Sequence, residues 1–276
     1  MTDSIQKTDN QGSALASGLG RSYPWQQRLR RIQHVLAVQR PGQRVLCVGA
    51  PVELEPALRQ LGNEWTFVPD DFGSATFPPD TFDCAVLIDC LEFVEDDYAF
   101  MTSIHHALKA AGMLYIDALH TKRWTVWRPF RRLFGVEPRA DDRARLGYTE
   151  SSLFDLLKDG FDVQETRTTS RFFSEGVETA LRLALAVFGV PGFPDPDDEG
   201  LSEQAERRFA LIHAIHYPFF VVAGYLDWLV FFTRGYRLNA VARRRLWKPR
   251  RAPVLRDGRT LADATLNTRI GTAAPF

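Results

Sequence analysis

Residues 82–118, FDCAVLIDCLEFVEDDYAFMTSIHHALKAAGMLYIDA, decide the fold of this chain. Two short apolar runs, 85–88 and 113–116, enclose a stretch in which apolar residues recur at helical spacing. Short apolar runs of this kind are typical of strands buried on both faces of a parallel sheet. Gly112 lies where a helix C-cap or a tight turn between helix and strand would need a positive φ. The segment therefore predicts a βαβ unit of an α/β domain.

The residues that follow the two predicted strands are the first places to look for chemistry. In open sheets of this kind, ligands bind outside the carboxyl ends of the strands. That rule points to residues 89–92 after the first run and to residues 117–120 after the second.

The preceding residues predict the start of the same sheet. Residues 24–38 carry a helical apolar stripe, residues 44–50 (RVLCVGA) predict a strand that ends in glycine, and residues 52–61 predict a helix. Residues 65–68 supply a further strand. The chain between Val45 and Ile88 is too short for two more complete βαβ units of about 30 residues each, so the first half of the sheet is expected to be shortened.

With residues 77–117, FPPDTFDCAVLIDCLEFVEDDYAFMTSIHHALKAAGMLYID, the chain resembles the class I S-adenosylmethionine (SAM)-dependent methyltransferases of the type 11 kind. A weaker likeness extends over residues 145–173, RLGYTESSLFDLLKDGFDVQETRTTSRFF. The resemblance implies a Rossmann-like class I methyltransferase sheet. In that sheet residues 235–245 are the last, antiparallel strand, which makes residues 173–234 a helical insertion before it.

The resemblance also implies SAM as the cofactor. The turn after the first strand carries the main SAM motif of the family, and an acidic residue after the second strand holds the ribose hydroxyls. Asp70 and Asp71 are the candidates for that acid, although a pair of solvated loop residues explains them equally well. The cofactor-binding residues that the resemblance implies are Gly49, Asp70, Asp71, Asp89, Cys90 and Leu91.

The glycine motif departs from the family pattern. Gly49 is kept, but Pro51 and Glu53 stand where the family has its second and third glycines, and Cys47 stands at its acidic position. A proline has no N–H to donate and fixes φ. Glu53 adds negative charge where the SAM carboxylate should meet a helix N-terminus, although it also suits the first turn of its own helix. The departures predict weakened SAM binding.

Two residues are weak catalytic candidates. His120 follows the second predicted strand at the ligand end, where it could act on a substrate or serve as an ordinary loop group. Tyr148 could line the substrate mouth, but a position before the helix-capping Thr149 explains it as well. Methyl transfer depends mainly on positioning and an in-line approach, so the reaction does not require either residue as a base.

The chain divides into three predicted parts. Residues 1–22 are polar and lack an apolar signal core, which predicts a disordered tail. Residues 23–246 form the methyltransferase-like α/β domain, and residues 247–276 form a basic, flexible tail.

Two apolar and basic segments point towards a membrane surface. Residues 215–232 form an apolar run that contains Pro218 and Asp227, which favours an interfacial helix or a substrate cover over a spanning helix. Residues 234–259 are rich in arginine and suit anionic headgroups, although a solvated tail remains an alternative. Residues 120–135 interleave tryptophan and arginine, which predicts either a lid over the ligand end or a helix that packs its aromatic side chains on the sheet.

Composition narrows the partners. Lysine plus arginine and aspartate plus glutamate both number 34, so no polyanionic partner is indicated and nucleic acid is not expected. Cys47, Cys84 and Cys90 fall on or beside predicted core strands, which favours buried thiols in the cytoplasm. The histidines and cysteines show no ligand spacing, so no metal site is predicted.

Two functions from different classes remain open at this stage. The first is a SAM-dependent methyltransferase that acts on a small or lipidic acceptor, with peripheral contact to the inner face of a membrane. The second is a catalytically inactive methyltransferase-like scaffold that has lost SAM binding and contacts a protein partner.

Overall fold

The computed structural model describes eight stretches of the chain. They are residues 23–37, 42–51, 54–68, 77–121, 127–135, 144–188, 203–230 and 232–245. Both predicted tails lie outside them, so the division into two tails and one domain stays a prediction.

Six strands and seven helices form within the described stretches. The strands are β1 (Arg44–Val48), β2 (Glu64–Val68), β3 (Phe82–Ile88), β4 (Leu108–Leu119), β5 (Phe161–Thr169) and β6 (Arg237–Arg244). The helices are α1 (Tyr23–Ala37), α2 (Glu55–Arg59), α3 (Asp97–Ala107), α4 (Trp127–Leu133), α5 (Glu150–Leu157), α6 (Phe172–Val187) and α7 (Glu203–Leu229).

The strands form one sheet in the order β2-β1-β3-β4-β6-β5. The pairs from β2 to β4 are parallel, and β6 runs antiparallel to both β4 and β5. The predicted Rossmann-like α/β sheet with an antiparallel last strand is confirmed. Its order reverses between β1 and β3, and such a switch point is where open α/β sheets bind ligands.

The first half of the sheet is shortened, as the sequence predicts. β2 ends at Val68 and β3 begins at Phe82, which leaves too little chain for a further βαβ unit of about 30 residues. The acidic residues Asp70 and Asp71 lie in this interval, outside the described residues.

Two hydrophobic cores cover the two faces of the sheet. Because successive strand residues point to opposite faces, Leu46 and Val48 pack with α3 and α5, whereas Val45 and Cys47 pack with α1, α2, α6 and α7. The three cysteines are buried free thiols. Burial raises the pKa of the Cys84 thiol to about 12, so this group packs as a small apolar side chain.

Gly112 does not form the predicted cap or turn. β4 begins directly after α3, and Ala111 takes the left-handed φ of 60° instead. Gly112 lies inside the strand, where a Cβ would come within 2.9 Å of the Lys109 carbonyl oxygen and 3.1 Å of the Asp83 oxygen. The glycine is therefore explained by close packing against β3.

Helices α6 and α7 stand between β5 and β6, which confirms the predicted helical insertion. Asp227 of α7 is buried, and its carboxylate accepts hydrogen bonds from the N–H groups of Arg171, Phe173 and Ser174 at 3.0, 2.8 and 3.3 Å. These N–H groups belong to the start of α6, where helix donors lack partners within the helix. The charge inside the apolar run of α7 thus caps its neighbour.

Among the described residues, no helix combines the length and the apolar character needed to cross a bilayer. Helix α7 contains Pro218 within its span.

Candidate functional site

Four charged side chains meet at the ligand end of the sheet. Arg28 of α1 lies between two carboxylates, with Nη1 3.1 Å from Asp89 Oδ2 and Nε 3.1 Å from Asp117 Oδ2. Arg237, the first residue of β6, donates from Nη2 to Asp89 Oδ2 at 2.9 Å and from Nη1 to Asp117 Oδ1 at 3.2 Å, and it also contacts Asp89 Oδ1. We call these four residues the arginine–aspartate cluster.

The cluster is largely buried, and the charges of its two arginines and two aspartates cancel. The side chains of Arg28, Arg237 and Asp117 are 11%, 9% and 1% exposed, whereas that of Asp89 is 32% exposed. Burial alone would raise the pKa of Asp89, but the charges of Arg237 and Arg28 outweigh it and hold this pKa well below its usual range. Asp89 is therefore ionised at neutral pH, and it is the member of the cluster with most access to solvent.

Sequence reasoning singled out Asp89 and the region of Asp117 but missed both arginines. Arg28 follows Trp25 by three residues and precedes Ile32 by four, so it lies on the buried face of α1. A charged residue inside an apolar helical stripe was the available signal. Arg237 is opposite Leu119 in the β4–β6 register, and no local pattern reveals that pairing.

The predicted cofactor residues Gly49, Cys90 and Leu91 lie together where β1 and β3 end. Gly49 has a φ of +77°, and a Cβ there would lie 2.3 Å from the Ile88 carbonyl oxygen and 2.8 Å from Cys90 Cβ. The side chains of Cys90 and Leu91 are both 1% exposed and pack in the core. Cys90 and Leu91 are therefore almost inaccessible and hold the end of β3 in place, whereas Gly49 is half-buried and can be reached by a ligand.

The predicted catalytic residues are both buried in structural contacts. The His120 ring has Nδ1 2.8 Å from the Gly235 carbonyl oxygen. The Tyr148 hydroxyl donates to Asp97 Oδ2 at 2.9 Å, and burial, followed by the charge of Asp97, raises its pKa. Both residues thus make structural contacts, and a catalytic role for either stays a prediction.

A cavity of about 600 Å³ opens beside the cluster, between α1, α7 and the ends of β4, β5 and β6. Asp117 and Arg237 belong to the cluster and also line the cavity, so the cluster forms part of the cavity wall. At the base, Asn239 Oδ1 accepts a hydrogen bond from Thr169 Oγ1 at 3.0 Å and another from Arg31. Helix α7, within the predicted apolar insertion, forms one wall, which fits the expectation of a substrate cover.

The described part of the tryptophan- and arginine-rich loop is helix α4, which docks on α6. Trp127 Nε1 donates to the Phe172 carbonyl oxygen at 3.0 Å, and Arg131 pairs with the buried Glu175 at 2.5 Å. Phe130 and Leu133 remain exposed. Residues 127–135 thus include the predicted surface helix, but its contacts are with α6 and not with the sheet. Residues 122–126 lie outside the described part.

In the described part of the basic segment, Arg234, shortly after α7, and Arg243 are exposed, whereas the other arginines pair with acidic residues. Arg237 is buried in the cluster. Arg244 and Arg245 lie at the opposite end of β6, where they pair with Asp80 and Asp162. The remaining basic residues, from 248 onwards, are outside the described residues.

The sheet has the Rossmann-like α/β arrangement that class I methyltransferases share, with its switch point between β1 and β3. A family model described as a methyltransferase domain matches residues 31–116, from within α1 to within β4. This match confirms the resemblance seen in the sequence, over the residues that it covers. The match ends one residue before Asp117 and includes neither Arg28 nor Arg237.

Solved structures resemble the chain only distantly. A phosphoethanolamine N-methyltransferase 2 of Haemonchus contortus, in complex with phosphomonomethylethanolamine and S-adenosylhomocysteine, is 16% identical, covers 80% of this chain and 52% of its own, and has a TM-score of 0.45. A SAM-dependent methyltransferase from Methanosarcina mazei is 14% identical, with coverages of 78% and 98% and a TM-score of 0.41. No curated protein matches the chain significantly.

SAM is the cofactor that the methyltransferase family implies, and the described residues fit it in part. The left-handed turn at Gly49 and the partly exposed Asp89 carboxylate lie on the two sides of the switch point. The half-buried Pro51, however, supplies no N–H donor. Asp70, Asp71 and Glu53 lie outside the described residues, so their roles stay predictions.

Proposed function

We propose that this chain is a SAM-dependent methyltransferase whose small or lipidic acceptor binds in the cavity beside the arginine–aspartate cluster. The observation that carries the proposal is the position of the cavity, which adjoins Asp117 and Arg237 at the carboxyl end of the sheet. A molecule in the cavity would lie against Arg28 and Arg237, the two arginines that bind Asp89 at the end of β3. SAM, when bound, supplies the activated methyl group.

The contribution of the chain's own residues to such a reaction is positioning. Holding two reactants in line can lower a barrier by several kcal/mol, on the order of 7 or more in the best cases, without a proton transfer. The cluster keeps Asp89 fixed and ionised, and α1 and α7 shield the acceptor side from water. Neither His120 nor Tyr148 is needed as a base in this scheme.

We further propose that the protein works in the cytoplasm with α7 in contact with the inner face of a membrane. Helix α7 presents exposed apolar side chains at spacings of three and four residues, which places them on one face. They are Leu211, Ile215, Phe219, Val222, Leu226 and Leu229. We call this set the α7 stripe, and an exposed stripe of this kind is typical of membrane or protein contact.

Cofactor and acceptor are tested separately. Calorimetry with S-adenosylhomocysteine on the purified chain should give a measurable dissociation constant, and methyl transfer from labelled SAM should then be followed into a lipid extract and a water-soluble extract. Label in the lipid fraction would support a lipidic acceptor, and label only in the water-soluble fraction would support a small one. A protein that binds the cofactor and labels neither fraction would contradict the proposed reaction.

Membrane contact is tested by co-sedimentation with vesicles that contain anionic lipid. The double variant Phe219→Ser and Val222→Ser should lose most vesicle binding, because both side chains belong to the α7 stripe. Phe154→Ser, which removes an equally exposed phenylalanine from α5, is the matched control. Equal binding by all three proteins would contradict a role for α7.

An inactive scaffold is the second candidate, and one observation favours it. Both arginines of the cluster bond the Asp89 carboxylate, so little of it is left to accept hydrogen bonds from a ligand. Absence of S-adenosylhomocysteine binding at millimolar concentration would favour this candidate and would direct attention to protein partners of the α7 stripe.

A further inference from the structure

We propose that the cavity binds the acidic group of an amphipathic molecule, a carboxylate or phosphate, whose apolar part lies along the α7 stripe. Calling this molecule the methyl acceptor rests on the proposed function, whereas its binding does not. The proposal comes from the charges that line the cavity and from the surface onto which the cavity opens.

The cavity lining is strongly cationic. It contains five arginines and two aspartates. Asp117 is neutralised by Arg28 and Arg237, and Asp227 is occupied by the N–H groups at the start of α6. The other lining arginines are Arg30, Arg31 and Arg171.

These three arginines lack an acidic partner in the part of the chain that the structure describes. Arg31 bonds the Asn239 amide oxygen, and Arg171 bonds the Asp227 carbonyl oxygen at 3.1 Å, which are both neutral acceptors. A guanidinium presents a planar fork of donors that matches a carboxylate or phosphate. An anion inside the cavity would therefore supply a countercharge that the described residues do not.

The apolar half of the ligand is indicated by the mouth of the cavity. Tyr225 and Trp228 belong to the lining but are 75% and 76% exposed, so they join the cavity to the outer surface of α7. Leu226 and Leu229 of the α7 stripe are their neighbours in sequence. Deeper in, Tyr23 stacks on Phe220 with ring centroids 5.8 Å apart and forms an apolar wall. A charged head and a hydrocarbon tail match this order of surfaces.

The test is calorimetry on the full chain without SAM, using decyl phosphate below its critical micelle concentration, decyl maltoside and inorganic phosphate. Decyl phosphate should bind more tightly than either of the other two probes. The double variant Arg30→Gln and Arg171→Gln should weaken decyl phosphate binding about tenfold, as loss of charge-assisted hydrogen bonds predicts. The single variant Arg30→Gln should lose less affinity for decyl phosphate than the double variant. Because Arg30 is exposed on α1, this change should leave the fold intact.

The matched control is Arg132→Gln, which removes an exposed arginine from α4 outside the cavity lining. It should leave decyl phosphate binding unchanged. Equal affinity for decyl maltoside and decyl phosphate would overturn the acidic group, and equal affinity for inorganic phosphate and decyl phosphate would overturn the apolar part. Because no cofactor is present, failure of methyl transfer cannot be confused with either result.

Discussion

The two sides of Asp89 are built from different kinds of residues. Towards β1, the positions that match the methyltransferase pattern hold packed groups such as Gly49 and Leu91. Towards β6, the polar surface comes from Arg28 and Arg237, which lie outside the family match. The family pattern in this chain thus describes how the sheet is held together, whereas the two arginines of the cluster come from α1 and from the last strand.

The largest expected effect on stability is at Gly49, on the β1 side of Asp89. Gly49→Ala should destabilise the fold by several kcal/mol, on the order of 4, because its Cβ would overlap backbone atoms of β3. Gly62→Ala is the matched control, since Gly62 has a similar φ of +76° but open space around it. It should cost about 1–2 kcal/mol from backbone strain alone. Thermal unfolding measures both, and equal losses would show that β1 and β3 do not need this close approach.

The close contact at Gly49 also limits what a Gly49 variant can reveal about cofactor binding. A bulky change such as Gly49→Arg, which would be chosen from the glycine motif alone, would damage the sheet whether or not a cofactor binds. Loss of binding in that variant would therefore say nothing about a cofactor contact.

The next largest expected effect on stability is at Arg237, on the β6 side of Asp89. Arg237→Met should destabilise the protein by about 3 kcal/mol, because it breaks a buried ion pair but leaves Arg28 in contact with both Asp89 and Asp117. Arg243→Met, an exposed change on the same strand, should cost less than about 0.5 kcal/mol. Denaturant unfolding measures the difference, and a near-neutral Arg237→Met would show that the cluster does not depend on both arginines.

The buried carboxyl group of Glu92, three residues after Asp89, is expected to make the stability of the protein depend on pH. It is fully buried, one oxygen accepts the Leu119 N–H, and burial followed by the charge of Asp89 raises its pKa to about 7. An acid whose pKa is raised by folding makes the folded state bind the extra proton. Its presence therefore lowers stability as pH rises from about 4.5 to about 7, by at most about 3 kcal/mol.

The variant Glu92→Gln keeps an oxygen for the Leu119 N–H but cannot ionise. Its free energy of unfolding relative to the original protein should increase between pH 5 and pH 7 and then level off. Chemical denaturation across that range measures this difference, and a difference that does not change with pH would contradict the raised pKa. The control is Glu150→Gln, which makes the same replacement in the first turn of α5, away from Asp89.

Particular residues show how far the sequence could predict this molecule. The apolar runs around Val86 and Leu114 predicted two parallel strands because burial on both faces leaves a local signature. The arginine–aspartate cluster depends on Arg237 meeting Asp89 across 148 positions of chain, and no periodic pattern records such a distant pairing. In the sequence, Asp227 is only a charge within an apolar run, because its role as a cap for α6 exists only once the two helices pack.

The smallest expected effect is at Pro51, in the turn after β1. A change at this residue is also the sharpest test of whether that turn binds the cofactor. Pro51→Gly restores the N–H and the backbone freedom that the family motif has at this position. One added hydrogen bond, worth about 0.5–1.5 kcal/mol, should tighten S-adenosylhomocysteine binding by a few-fold to about tenfold in calorimetry. Pro78→Gly is the matched control, because this exposed proline precedes β3 at the opposite end of the sheet and loses the same backbone restriction. Tighter binding in the Pro51 variant alone would identify the turn after β1 as the cofactor contact. Unchanged binding in both variants would mean that the chain holds the cofactor through other residues.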